Sequence, residues 1–494
     1  MLGKVLRKFT HNEGLSQLVP FLLPALVCCV LLAHSTALLV QWYGQLQSPF
    51  DLDYVERWQA YVAYQAYPGG EHANSSYELP YNAIPYPPIS YLIHGWLGKL
   101  VRTDLIGVRT IGRITTLIMT LLNSLMVVQI GRAIGVRILW SVMAGLLFLT
   151  SESAHFFAVS LRTDEMACAF MLLGLYGVLH RRNYWIGGAF FALALGTKHS
   201  FFSVPLVLIV TLLIKRDTRS VIKLLASGFL VGVLIMFLAT WMLGPYWWQG
   251  SLLQGFQQGV NFKQAIYFMG KGFSQPVLVI GLAGLFLADL SDAAGIVAAC
   301  FAVSLCLNSA ALAKVGAAPS YFLEPVALAS ILSGYVAKRL LDEQQLVSKG
   351  FAWTLILGLI IPATVEQAIA TVHFLNVQSD TTSKVRPLVE LMRRVDEPIL
   401  TDQAALYFDS GHKPFVSPPD VIMIAVETSK IDGKPMQQFI ERQGFNAIVV
   451  RTNWKERRFF PQTWISAIEK NYEHFGVFEG SKVMKPKGKT LITP

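Results

Sequence analysis

Long apolar runs separated by short polar stretches dominate the first three quarters of the chain, many of them long enough to cross roughly 30 Å of hydrocarbon and several shorter. They fall near 18 to 42, 114 to 131, 138 to 158, 165 to 180, 184 to 197, 201 to 214, 221 to 245, 276 to 290, 294 to 311, 322 to 337 and 350 to 370, about eleven candidate spans. In lipid only a helix satisfies its own backbone groups, so each span is expected to be helical. The first follows Lys4, Arg7 and Lys8, but its apolar stretch is too long for a cleaved signal peptide and reads as an uncleaved anchor.

Between the spans, basic residues alternate by loop. Arg132 with Arg137, Arg181 with Arg182, Lys215 with Arg216 and Arg219, and Lys338 with Arg339 mark one side, and the intervening loops are poor in Lys and Arg. Because basic loops stay cytoplasmic, the amino terminus is expected inside, and the loop at 43 to 113 and the tail after 371 outside. Outside lie a long loop at 43 to 113, a short turn at 159 to 165, a loop at 246 to 275 and the tail, whereas the inner side has only short connections, so chemistry is expected to face outward. Past residue 378 the pattern shortens to that of a small soluble unit. Pro398-Ile399-Leu400 and Ala447-Ile448-Val449-Val450 read as strands, with a helix near Met436 to Arg442 between them.

Composition agrees with this division: 53% of the 494 residues are hydrophobic and only 15% are charged. The formal charge of +10 belongs largely to cytoplasmic loops, and a nucleic-acid partner is not expected, since no basic segment is interleaved with aromatics in a soluble unit. All five cysteines, Cys28, Cys29, Cys168, Cys300 and Cys306, lie in apolar spans, which supports neither a disulfide frame nor a zinc site.

Four polar segments carry candidate chemistry. After the first span comes Phe50-Asp51-Leu52-Asp53-Tyr54-Val55-Glu56-Arg57; a helix starting near Asp53 sets Asp53 and Glu56 on one face, where two carboxylates serve as a general base or bind a hard divalent cation such as Mg or Mn. The same spacing also reads as an acidic helix start favoured by the helix dipole. Within Tyr81 to Tyr91, prolines impose an extended approach and then open a helix, leaving tyrosines such as Tyr86 to line a sugar or lipid or to sit in an aromatic belt. Arg162, Asp164 and Glu165 crowd a span boundary, and Lys198 and His199 end the next hairpin; Arg162 and Lys198 suit phosphate oxygens, though interfacial charges are also simply wet. Lys314, Tyr321 and Glu324 flank a small-residue turn that is a second candidate phosphate site or a plain interfacial turn.

In order along the chain these segments resemble the membrane glycosyltransferases of the GT-C fold, in the bacterial branch related to protein mannosyltransferases and aminoarabinose transferases. The similarity rests on Asp53-Tyr54-Val55-Glu56, Tyr86-Pro87-Pro88, Gly112-Arg113, Arg162-Thr163-Asp164, Thr197-Lys198 and Tyr321-Phe322-Leu323-Glu324-Pro325. Arg57 stands where the family pattern usually has Gly, and Ser320 where it has Asn. The resemblance implies an all-α polytopic domain over 1 to 370 and a small extracytoplasmic α/β domain over 371 to 494. It implies an enzyme of the bacterial inner membrane that moves a sugar from a polyprenyl-phosphate-linked donor to a lipid, glycan or protein acceptor. Asp53 and Glu56 would be catalytic, and Tyr86, Arg162, Asp164, Lys198, Lys314, Tyr321 and Glu324 would hold substrate. A transporter or flippase for a lipid-linked glycan also needs outward loops and buried charge; the absence of repeated halves speaks against it.

Overall fold

The computed structural model describes residues 13–48, 51–53, 55–66, 77–253, 259–289, 291–314, 317–339, 386–454, 460–478 and 480–491. Lys4, Arg7 and Lys8 and the expected span at 350 to 370 lie outside the described residues.

Side-chain caps set where several helices begin. Asp104 accepts the Gly107 amide, Asn183 that of Ile186, Asp217 that of Ser220, Asn261 that of Gln264 and Asp292 that of Gly295. Each bond satisfies one of the amides that a helix start leaves without an intrahelical partner. Among the described residues five helices are long and apolar enough to cross a membrane: Ala25–Gln47, Leu105–Ala133, Thr218–Leu243, Ala293–Ala311 and Pro319–Ala337. A sixth is reached if Phe262–Phe273 and Pro276–Leu287, bent by 80° at their junction, make one broken span. Ile138–Leu149, Tyr184–Thr197 and Ser203–Ile214 are apolar but shorter. The chain is an integral membrane protein; the expected number of about eleven spans is not established by these helices.

Two boundaries differ from the sequence pattern. The run at 138 to 158 stops at Leu149, and Glu152–His155 forms a separate turn. The stretch at 246 to 275, expected as a loop, contains Phe262–Phe273, which leaves Phe262, Ile266 and Tyr267 exposed while burying Ala265 and Gly272. Exposed large apolar groups on one face and a tightly packed opposite face suit the lipid interface.

Burial sorts the helices. Pro319–Ala337 is 94% buried and forms the centre of the bundle, whereas Thr218–Leu243 is 22% buried and shows Phe229, Leu230 and Phe237 outward. In lipid such a face needs no protein cover. Gly281 permits the central contact, since a Cβ there would meet the Ala329 Cβ at 2.6 Å.

The carboxy-terminal unit is α/β. Strands β2 (Ile399–Thr401), β4 (Ala447–Arg451), β5 (Tyr472–Phe478) and β6 (Ser481–Pro486) form one sheet in the order β2-β4-β6-β5, the first pair parallel and the others antiparallel. Lys434–Glu441 provides the helix expected between β2 and β4.

This unit does not stand apart from the outer loop. Strand β1 (Tyr81–Asn82) pairs in parallel with β3 (Val416–Ser417), and the Ala83 amide continues the ladder to the Ser417 carbonyl at 2.7 Å. Tyr81 enters the core of the unit, stacks on Trp464 and donates its hydroxyl to the Asp432 carbonyl at 2.6 Å. Trp58 from the helix Glu56–Gln65 packs edge-on against Phe408. Arg57 donates its Nε to Asp51 at 2.7 Å and its Nη1 to Asp409, so this arginine fastens the two regions together. The loop and the unit therefore share one side of the membrane. Asp409→Ala is expected to weaken the attachment by about 1.5 kcal/mol. Hydrogen exchange at the Ala83 amide checks this, the expected result being an acceleration of roughly tenfold.

Candidate active site

Between the outer loop, the ends of the membrane helices and the carboxy-terminal unit lies a cavity of about 970 Å³, counting its open mouth. Arg162, Lys198 and Lys314 line it together with Tyr86, His199 and Tyr321. All stand at or beside helix ends. Arg162 lies two residues before the helix Asp164–Arg181, and Lys198 caps Tyr184–Thr197. Lys314 follows Ala293–Ala311, where a bridge to Val260 holds it, and Pro87 and Pro88 lead from Tyr86 into the helix Ile89–Leu100. Five of the nine expected site residues thus border one space: Tyr86, Arg162, Lys198, Lys314 and Tyr321.

Two more sit against these cations. The Arg162 Nε lies 3.2 Å from Asp53 and 3.8 Å from Asp164, and the Lys198 ammonium pairs with the other oxygen of Asp164. Lys198 is also 4.9 Å from the centre of the Tyr321 ring, and Arg162 is 4.1 Å from that of Phe157. Burial, reinforced by the neighbouring Lys198, holds the Lys314 ammonium below its ordinary pKa. Asp53 and Asp164 compensate Arg162 and Lys198, and among the described residues no carboxylate pairs with Lys314 and none is among the residues lining the cavity, so Lys314 is the wall cation left without an anionic partner. Tyr86 is half-buried, and the desolvation of its hydroxyl pushes that group up to about 12. It stays protonated at neutral pH and acts as a hydrogen-bonding group rather than a base.

The remaining two expected residues face elsewhere. Glu56 is fully buried, accepts the Arg113 Nε at 2.8 Å and Nη2 at 2.7 Å, and takes the amides of Leu52 at 2.9 Å and Leu161 at 3.2 Å. Arg113 in turn donates Nη1 to the carbonyls of Ser48 and Gln45 at 2.6 and 3.1 Å. Glu56 thereby ties the end of the first span, the outer helix and the Leu105–Ala133 helix together. The reason it does not pair with Asp53 is local: the helix starts at Glu56, and Asp53 precedes it in a turn whose carbonyl accepts the Glu56 amide at 3.1 Å. The two side chains do not fit a shared divalent ion, because the Glu56 oxygens are occupied by Arg113 and two amides. Among the described residues no group of three His, Cys, Asp or Glu side chains converges as a metal site. Glu324 is buried in the first turn of Leu323–Ala337, accepts from the Ser203 hydroxyl and lies 3.3 Å from the Asn308 Nδ2. It joins three helices behind the wall instead of facing the cavity.

Gly112 and Arg113 acquire a physical meaning here. A Cβ on Gly112 would lie 2.1 Å from Leu161 Cδ1, so only glycine lets Leu161 approach closely enough to bond Glu56. Sequence reading missed Trp58 and Gln59 as cavity residues, and Ser417, Pro418 and Val421, which the carboxy-terminal unit supplies. Their distance along the chain gave no local signal.

No family model matches the chain, and no curated protein does. Solved structures do. One is ArnT from Cupriavidus metallidurans bound to undecaprenyl phosphate, with 14% identity, TM-score 0.61, and 94% of this chain and 99% of that one covered. The chain has the GT-C fold. The GT-C likeness extends to the archaeal oligosaccharyltransferase AglB from Archaeoglobus fulgidus in complex with an inhibitory peptide and a dolichol-phosphate. There the identity is 10% and the TM-score 0.61, over 94% of this chain and 74% of that one. Arabinofuranosyltransferase AftD from Mycobacteria is similar at 14% identity and TM-score 0.50, over 94% of this chain and 40% of that one. At such identities the likeness concerns the GT-C fold.

Proposed function

We propose that this chain transfers a sugar from a polyprenyl-phosphate-linked donor to an acceptor on the outer side of a bacterial inner membrane, with the cavity as the reaction site. The observation that carries the reading is the convergence of Arg162, Lys198 and Lys314 on one space whose described wall holds no carboxylate. An isoprenoid phosphate suits such a place: its tail lies among the membrane helices and its anionic head needs cations. Undecaprenyl phosphate and dolichol-phosphate are named in complexes of proteins with the same fold, which supports this choice.

The chemistry follows from the charges. Breaking the bond between the anomeric carbon and the phosphate oxygen passes through an oxocarbenium-like state while negative charge grows on the phosphate. Cations already in position stabilise that charge without reorganisation. An acceptor hydroxyl must lose its proton as the new bond forms. Asp53 is assigned that role over Asp164 because its side chain is 13% exposed, whereas Asp164 is 2% exposed and held by both Lys198 and Arg162. If the acceptor is a phosphate, already ionised, Asp53 positions it instead.

Undecaprenyl phosphate binding to the purified protein tests the phosphate site. Arg162→Ala is expected to weaken it by about 1.5 to 3 kcal/mol, with Lys198→Ala and Lys314→Ala acting in the same direction. Unchanged affinity in all three variants would remove the proposed site. Covalent transfer from a lipid-linked sugar supports the enzyme, and movement of the lipid without covalent change would favour a transporter.

A further inference from the structure

Gln59 is a polar group on the cavity wall that the phosphate chemistry does not use. It lies in the middle of the helix Glu56–Gln65, is 2% exposed and lines the cavity beside Trp58. Among the described residues neither its Oε1 nor its Nε2 has a hydrogen-bond partner. Buried amides are nearly always bonded, because leaving both ends unmet lowers stability, and an exception at a cavity points to a ligand that completes them.

The carboxamide chemistry narrows that ligand. One oxygen accepts and one NH2 donates, which matches a hydroxyl group that does both. Across the same cavity Ser417 adds a second neutral polar contact from the carboxy-terminal unit. A smaller neighbouring cavity shares Val62, Ala83 and Ser417 with the first and is bordered by Tyr61, Gln65 and Asn82, also uncharged. No carboxylate is among the described residues that border either cavity, so an ammonium-bearing sugar would give up its water beside Gln59 without gaining an anionic partner there.

We infer that Gln59 is a specificity-determining residue that hydrogen-bonds a hydroxyl of the donor's sugar, and that the sugar is neutral rather than an amino sugar. This inference rests on the proposed glycosyl-donor reading and deepens it. The sugar bridges the Gln59 carboxamide while its phosphate meets the cations.

The test uses the full chain in detergent and three kinds of probe: undecaprenyl phosphate alone, undecaprenyl phosphate carrying glucose, mannose, galactose or arabinose, and the same lipids carrying the corresponding amino sugars. Wild-type protein is expected to bind at least one neutral glycolipid more tightly than the bare lipid, and to bind its amino counterpart more weakly. Gln59→Leu should lose about tenfold of that gain and leave bare-lipid affinity unchanged. Its Tm should hold or rise, because an unmet amide is replaced by an apolar group of similar size. Gln59→Glu serves as a second variant and should shift preference toward the amino sugars. A Gln59→Leu protein that keeps the whole sugar-dependent gain overturns the inference alone. So does one with a lowered Tm or equal loss for the bare lipid, since either shows Gln59 to be structural or part of the phosphate site. A wild-type protein that gains nothing from any sugar removes the glycosyl-donor reading and this inference with it. A preference for amino sugars overturns the neutral-sugar assignment.

Discussion

Glu56→Ala is expected to cost about 3 to 5 kcal/mol of stability, the usual consequence of leaving a buried charge without its partner. Arg113 and Glu56 are 1% and 0% exposed at their side chains, and the two-point contact between them is supplemented by the Leu52 and Leu161 amides. Removing the carboxylate strands the guanidinium where water cannot reach it and unties four segments together. Arg113→Ala should produce a loss of similar size. A Glu56→Leu, Arg113→Leu double variant should recover much of it, because two charges are removed at once and apolar groups fill the space. Thermal unfolding in detergent measures all three. A Glu56→Gln protein with unchanged Tm and abolished sugar transfer would return Glu56 to the reaction itself.

That expected result marks the limit of what local spacing reveals. Asp53 and Glu56 look like a pair because they stand three positions apart, but spacing acquires meaning only after the helix start is known, and the helix starts at Glu56. The true partner of Glu56, Arg113, sits on another helix and left no local trace; only the order of motifs hinted that it mattered. Arg162, Lys198 and Lys314 were legible for a different reason. A charge at the end of an apolar span is conspicuous against its surroundings, and helix ends on one side of a bundle are brought together by topology. Gln59 has no charge and sits in an aromatic, amphipathic segment, so nothing in the sequence separated it from its neighbours. The carboxy-terminal strands were read correctly near Ile399 and Ala447 from their apolar runs, yet the pairing of Tyr81 with Val416 was hidden, because β1 is only two residues long. Arg57, which departs from the family pattern, turned out to bridge to Asp409.

Asp53→Asn is expected to lower the rate of sugar transfer by roughly 10² to 10⁴, the range for loss of a general base. The substitution keeps the size of the side chain and much of its hydrogen bonding, and Arg162 retains Asp164 at 3.8 Å, so no buried cation is left without a carboxylate. Stability should therefore change little, in contrast with Glu56→Ala. The affinity for undecaprenyl phosphate supplies the decisive second readout. Asn no longer draws on the Arg162 guanidinium, which leaves more of its charge for a phosphate, so bare-lipid binding should hold or tighten while transfer falls. Single-turnover transfer from a lipid-linked neutral sugar, measured beside lipid binding on the same preparation, separates the two effects. A rate within a factor of about two of wild type, in a protein that binds lipid normally, would assign Asp53 to holding Arg162 in place and leave proton removal to another group. A fall in rate with matched loss of lipid affinity would place Asp53 in the phosphate site. Only the split between the two, with slow chemistry on a well-bound donor, is what a base acting on the acceptor produces.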